Sequence, residues 1–171
     1  MTRLLTLTLF VLFSATTLFA QGKGNRASPH DTVKGDHITI TYGRPYKKGR
    51  VIFGDGKNSL ETYGKVWRTG ADEATEITVD KDCTFGDKKL KAGTYTLFTI
   101  PGEKTWTIIL NSELKQWGAF GYDKIKDKDI LKTTVPAKHM NNIVEQFTIK
   151  VTASGVEMAW DQAGIFIPVK F

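Results

Sequence analysis

From residue 37 onward, apolar and polar residues alternate with a period of two. His37-Ile38-Thr39-Ile40-Thr41-Tyr42 shows the pattern, and so does Thr75-Glu76-Ile77-Thr78-Val79-Asp80. Such spacing sends successive side chains to opposite faces of a strand, one face buried and the other wet. The runs 93–100 and 105–110 flank Pro101-Gly102-Glu103-Lys104, a turn signal that predicts a hairpin. Further strands are predicted at 130–135, 144–152, 156–160 and 165–171, joined near the end by turns at Ser154-Gly155 and Gln162-Ala163-Gly164. Pro168 cannot donate to a ladder, which places it at an edge or near the end of the final strand. No segment carries a sustained helical stripe. Short strands with frequent turn signals predict an all-β fold, an antiparallel β-sandwich of jelly-roll type, with a partly open β-barrel as the alternative.

One stretch interrupts the alternation. Residues 43–74 contain Gly43, Gly49, Gly54, Gly56, Gly64 and Gly70 without a lasting period. A long irregular segment inside a compact domain is functional or disordered, and its aromatics (Tyr46, Phe53, Tyr63, Trp67) argue for order. The reading is therefore a single β domain over 37–171 with an irregular insertion at 43–74, preceded by a polar tail at 21–36.

The first twenty residues change where that domain is expected to work. Arg3 is followed by an apolar run from Leu4 to Phe13 and then by small residues up to Ala20, the pattern of a cleavable signal peptide. Leu18 is larger than the residue preferred three places before a cut. The apolar run is short for a bilayer span, and Gln21 to Arg26 are polar, so no stable membrane insertion is expected after cleavage. No Cys lies near the cut, so the expected product is periplasmic or secreted and not a lipoprotein. Cys83 is the only cysteine, which rules out an internal disulfide and leaves the core to stabilise about 150 residues. Its strand-like setting fits a small core residue.

A net charge of +6 comes from lysines spread along the chain, without the clustering that nucleic acid needs, so no nucleic-acid partner is expected. Arginine is distributed differently. Beyond the leader there are 19 Lys but only Arg26, Arg44, Arg50 and Arg68, and three of those four fall inside the insertion. A guanidinium is a planar, permanently charged fork that grips carboxylate, phosphate or sulfate with two parallel bonds. Arg44, Arg50 and Arg68 are thus candidates to hold an anion, with Trp67 as a stacking wall and Asp72 and Glu73 as further polar contacts. The same arginines would serve equally well as clamps, pinning the insertion to Asp55, Asp72 or Glu73.

Other constellations are thinner. Ser28-Pro29-His30-Asp31 holds the residue types of a triad, but neighbours on an extended chain point apart. His30, His37 and His139 lack the spacing of metal ligands, so neither metal nor cofactor is expected. Asp72-Glu73 supplies paired carboxylates, and glycosidase chemistry would need a more distant partner such as Asp161. Trp106 and Trp160 lie in strand patterns and read as core. Trp117, in Gln116-Trp117-Gly118, lies at a loop-like position suited to stacking on a sugar.

Several longer strings carry a resemblance. They are Tyr-Gly-Arg-Pro at 42–45, Lys-Gly-Arg-Val-Ile-Phe-Gly at 48–54 and Tyr-Gly-Lys-Val-Trp-Arg-Thr-Gly-Ala at 63–71. Glu73-Ala74-Thr75, Ala92-Gly93-Thr94-Tyr95, Leu97-Phe98-Thr99-Ile100-Pro101, Trp106-Thr107 and Gln116-Trp117-Gly118 continue them. With these strings the chain resembles the exported DUF2911 family from Ser28-Pro29 to the C-terminus. That resemblance implies export and a β fold, and it brings no reaction, substrate or cofactor. Its pattern falls on Arg44, Arg50, Trp67 and Arg68. Where the family usually has Asn, this chain has Asp72, a change that removes an amide donor and offers a charge to an arginine.

Three functions fit these residues. The first is a non-enzymatic β-sandwich binding a small anionic or sugar-like ligand, or an envelope partner. The second is a hydrolase of envelope polysaccharide or peptide using Asp72 or Glu73, which requires a cleft with a second carboxylate or a His nearby. The third is a structural or interaction module in which the arginines only clamp loops.

Overall fold

The computed structural model describes residues 28–171; the leader and Arg26 lie outside them. Eleven strands follow one another: β1 (His30–Lys34), β2 (Ile38–Gly43), β3 (Val51–Gly54), β4 (Ser59–Thr62), β5 (Thr75–Val79) and β6 (Cys83–Phe85). After them come β7 (Lys88–Leu90), β8 (Gly93–Ile100), β9 (Thr105–Asn111), β10 (Asp129–Thr152) and β11 (Gly155–Lys170). Only two 3-10 turns, Tyr122–Lys124 and Lys126–Lys128, are helical among the described residues.

Nine strands form one antiparallel sheet in the order β1-β2-β5-β8-β9-β10-β11-β6-β7. The sheet does not close into a barrel; it folds over itself as a β-sandwich. Strand β10 makes the fold possible. Its first part, Asp129 to Pro136, pairs with β9, and its later part, from Ala137 to Thr152, pairs with β11. The two halves therefore belong to different layers, and register shifts between His139, Val144 and Thr148 interrupt the pairing of the later part with β11.

The alternation reads directly onto the packing. Ile38, Ile40 and Tyr42 of β2, Ile77 and Val79 of β5, and Trp106, Ile108 and Leu110 of β9 face inward from one layer. Phe147 and Ile149 of β10 and Val156, Met158 and Trp160 of β11 meet them from the other. Cys83 is buried in this cluster, as a small core residue should be. A second, smaller cluster of Ala74, Phe98, Ile109 and Tyr122 sits on the outer face of β8 and β9, where the segment after β9 covers it. The predicted hairpin is β8–β9, paired from Ile100↔Thr107 to Thr96↔Asn111.

Three boundaries differ from the sequence reading. Residues 30–34, read as tail, form edge strand β1 against β2. As an edge, β1 buries little, so only Val33 packs on the core and no alternation shows. The expected break in 136–143 and the expected turn at Gln162-Ala163-Gly164 are both absent. Ala163 and Gly164 pair with His139 and Lys138, and Asp161, with φ of 55°, takes up the bend within a continuous strand. Pro168 lies beyond Ile165, where the pairing with β10 has ended, and its carbonyl accepts the Gly86 N–H at 2.8 Å.

The insertion is ordered by its own small sheet. β3 and β4 pair in parallel, with Val51 opposite Ser59 and Phe53 opposite Glu61. Strands of four residues are too short to display a period. The rest of the insertion is tied down by backbone: Trp67 and Thr99 exchange both N–H···O bonds, at 2.7 and 3.0 Å. Gly43 explains one of the Gly-containing strings, since a Cβ there would lie 2.1 Å from the Ala71 carbonyl oxygen.

Candidate functional site

The three arginines of the insertion do not converge on one point. Arg44 leaves the end of β2 and spends its fork on the protein itself. Its Nη1 donates to Asp31 Oδ2 at 3.2 Å, Nη2 to Thr148 Oγ1 at 3.2 Å, and Nε to the Phe147 carbonyl at 3.3 Å. One side chain thereby joins β1, the start of the insertion and β10, which is the clamp arrangement. Arg50 is exposed and donates through Nε to the Lys47 carbonyl at 3.0 Å and through Nη2 to that of Tyr46. Arg68 is half-buried, lies 5.3 Å from the centre of the Phe120 ring, and donates one bond to the Asp72 carbonyl at 3.3 Å.

Trp67 is not a pocket wall. It is 2 % exposed, its indole N–H donates to the Gly70 carbonyl at 3.2 Å, and its ring packs against Phe53, Trp106, Phe147 and Trp160. The apolar area of the largest side chain in the insertion anchors that insertion to the core, which outweighs any role at the surface. Asp72 offers Arg68 its backbone oxygen and not its carboxylate. It adopts a left-handed φ of 63°, a conformation Asn and Asp accept more readily than other residues, and its Oδ2 is buried with no hydrogen-bond partner among the described residues.

Glu73 is the predicted residue that the fold places at a cleft. A cavity of about 250 Å³ opens beside β2 and β5, and His30, Glu73, Glu76 and Lys115 line it together with Tyr42 and Thr41. His30 Nε2 lies 3.1 Å from Glu73 Oε2, and Nδ1 lies 3.1 Å from the Ser28 carbonyl oxygen. A carbonyl can only accept, so Nδ1 carries a hydrogen. One imidazole thereby connects the Ser28 carbonyl to the Glu73 carboxyl. Among the described residues Ser28 meets His30 through its carbonyl and not its hydroxyl, and Asp31 is committed to Arg44, so the four-residue string forms no triad there.

The cleft is framed by the segment that follows β9. Glu76 Oε1 accepts the Lys115 N–H at 2.8 Å, and Lys115 itself takes a left-handed φ of 59°. Glu73 forms an antiparallel bridge with Trp117, and the Ala74 N–H reaches the Gln116 carbonyl at 2.9 Å. Residues directly opposite in such a bridge point to the same face. Trp117, 55 % exposed, therefore stands beside Glu73 on the solvent side.

A different environment surrounds Glu61. This carboxyl on β4 is desolvated, and burial pushes it up to about 7 against the opposing pull of Arg68 and Arg50. Among the described residues it makes no hydrogen bond or close ion pair.

Sequence reasoning missed His30, Glu61, Glu76 and Lys115. His30 was set aside with the tail, although the string that begins the family likeness includes its neighbours. Glu76 sits at a polar position of an alternating strand, indistinguishable by pattern from any solvated residue. Glu61 and Lys115 left no sequence signal, because their roles depend on contacts 39 or more positions away or on burial.

No curated protein matches the chain, and no solved structure does. The profile of the family described as "Protein of unknown function (DUF2911)" matches residues 25–169. Matched over nearly its whole length, the chain belongs to the DUF2911 family.

Proposed function

We propose that this chain is an exported, non-enzymatic β-sandwich that binds a small sugar-like ligand in the cleft of His30, Glu73, Glu76 and Lys115. The observation that carries the reading is the convergence of acceptor carboxylates and donor groups in one cleft of about 250 Å³ with Trp117 next to Glu73. That volume suits a single small ring. Two carboxylates in so small a space repel an anion but accept hydrogen bonds from vicinal hydroxyls, so a neutral polyol fits better than a phosphate or sulfate here. An exposed indole supplies the apolar face on which a sugar ring stacks. Export rests on Arg3 and the apolar run Leu4 to Phe13, which match a signal peptide.

The test is calorimetric titration of the leaderless protein with a panel of neutral, amino and acidic monosaccharides and short glycans. The expected result is saturable binding of a neutral or amino sugar, weakened at least tenfold by Trp117→Ala and by Glu76→Gln. Failure of the whole panel, or binding indifferent to both substitutions, would sink the reading.

A second reading, a hydrolase, draws support from the His30–Glu73 contact at 3.1 Å, because a carboxyl within hydrogen-bond reach of an imidazole at a cleft has the makings of a general acid or base. It predicts turnover of a chromogenic glycoside or peptide that Glu73→Gln abolishes. Turnover unchanged in that variant removes Glu73 from the chemistry.

A further inference from the structure

The segment after β9 continues the cleft toward an arginine. It runs antiparallel to residues 72–76: the Lys115 N–H reaches Glu76 Oε1, the Ala74 N–H reaches the Gln116 carbonyl, and Trp117 pairs with Glu73. One step further the Gly118 N–H donates to the Asp72 carbonyl at 3.1 Å, and that same oxygen accepts Arg68 Nη1 at 3.3 Å. An unbroken line of contacts thus leads from the cleft past Trp117 to the Arg68 guanidinium. Arg68 itself lines none of the cavity of about 250 Å³, and neither does Phe120 beside it. Since a single small ring fills that cavity, both lie where a longer ligand would leave it.

At that end an exposed ring is held in place. Phe120 is 82 % exposed, the most open large apolar side chain among the described residues. The chain on either side of it is anchored, because Ala119 and Tyr122 pack with Ala74, Phe98 and Ile109, and the Tyr122 hydroxyl donates to Asp129 Oδ2 at 2.6 Å. Gly118, with φ of 73°, lets ring and arginine close on each other: a Cβ there would lie 2.9 Å from the Phe120 ring and 3.2 Å from Arg68 Nη1. The guanidinium carbon sits 5.3 Å from the ring centre. Trp117 and Phe120, three positions apart on one anchored segment, both offer apolar area to water, which marks a contact surface. The charges along the line are polarised. Glu73 and Glu76 crowd the cleft, whereas Arg68 makes no ion pair among the described residues; Glu61, whose charge it feels, is not in close contact with it.

Resting on the sugar-binding reading of the cleft, we propose that its ligand is an acidic glycan. A neutral ring sits in the cleft against Trp117, and a neighbouring unit stacks on Phe120 and presents a carboxylate or sulfate to Arg68. The guanidinium keeps donors for a two-bonded grip on such a group, and the ring beneath it fixes its plane. Threaded the other way, the acidic unit would meet Glu73 and Glu76, so the charge pattern also sets the direction of the glycan.

Calorimetric titration of the leaderless chain tests it, with three tetrasaccharides of one backbone. The first alternates N-acetylglucosamine with glucuronate, the second is its neutral, carboxyl-reduced form, and the third is that neutral form carrying sulfate esters. An acidic form should bind about tenfold tighter than the neutral one. A margin confined to glucuronate assigns a carboxylate, and one confined to the ester assigns a sulfate. Phe120→Ala, a change at an exposed ring, and Arg68→Gln should each erase that margin while leaving the monosaccharide affinity of the cleft unchanged. Glu76→Gln should weaken monosaccharide and tetrasaccharide alike. A monosaccharide that binds while no acidic tetrasaccharide gains over the neutral form overturns this inference and leaves the cleft reading standing. An acidic margin that survives both Phe120→Ala and Arg68→Gln, or acidic binding indifferent to Glu76→Gln, overturns it as well. If nothing binds, the two readings fall together.

Discussion

His30 and Glu73, separated by 43 positions, meet at 3.1 Å, Nε2 to Oε2. The contact ties the start of edge strand β1 to the end of the insertion, so it is structural as well as a wall of the cleft. Both side chains are only partly exposed, which keeps the interaction above the usual surface value. Denaturant unfolding of His30→Ala, Glu73→Gln and the double variant should give a coupling energy of about 1 kcal/mol. Additive single effects would show that the contact contributes nothing to stability.

Arg44 should behave as a clamp. It holds Asp31, Thr148 and the Phe147 carbonyl at once, and these belong to β1 and β10. Arg44→Ala should cost about 2–3 kcal/mol, because the bonds are charge-assisted and one buried carbonyl is left unpaired. Arg44→Lys should recover less than half of that, since an ammonium cannot span three partners in a plane. Thermal unfolding of the two variants measures it.

Glu61 gives a pH dependence whose sign follows from its burial. An ordinary Glu ionises near 4.5, and in the folded chain Glu61 does so at about 7. Between those values the folded state holds more protons than the unfolded chain. Stability from this group is therefore greatest below the ordinary value and falls as pH rises through about 7. Glu61→Gln should remove that slope and, above neutrality, exceed the parent in stability by on the order of 2 kcal/mol. Parallel unfolding curves for parent and variant across the pH series would refute it.

Asp72 carries a cost that a near-isosteric change relieves. Its Oδ2 is buried without a hydrogen-bond partner among the described residues, while its left-handed φ of 63° must be kept. Asn tolerates that conformation and replaces a charge-bearing oxygen with an amide. Asp72→Asn should stabilise by about 1 kcal/mol, whereas Asp72→Ala should gain less because it adds backbone strain. Melting temperatures of the two variants, compared with the parent, decide between them.

Much of the β fold was legible because its determinant is local. Alternation at 37–42, 75–80, 93–100 and 105–110 marks strands buried on one face, and each appears within a residue or two of its predicted place. Edge strand β1 escaped because one-sided exposure erases alternation, and β3 and β4 escaped because four residues cannot express a period. The kinked passage through Asp161 resembles a turn in composition, yet only the pairing of Ala163 with His139 makes it a strand. The site was legible in part. Arginine scarcity picked out Arg44, Arg50 and Arg68, but whether a guanidinium faces solvent or Asp31 is decided by the register of β1, which no local pattern encodes. Glu73 was found, while its partner His30 depends on the same unseen register.

The division of β10 between two layers has a mechanical consequence. Pulling the sandwich faces apart would require tearing one covalent strand from β9 on one side or from β11 on the other. One continuous strand thus belongs to both layers. The two layers that carry cleft and insertion should therefore open together, and amide exchange in β9 and β11 should report one common opening event.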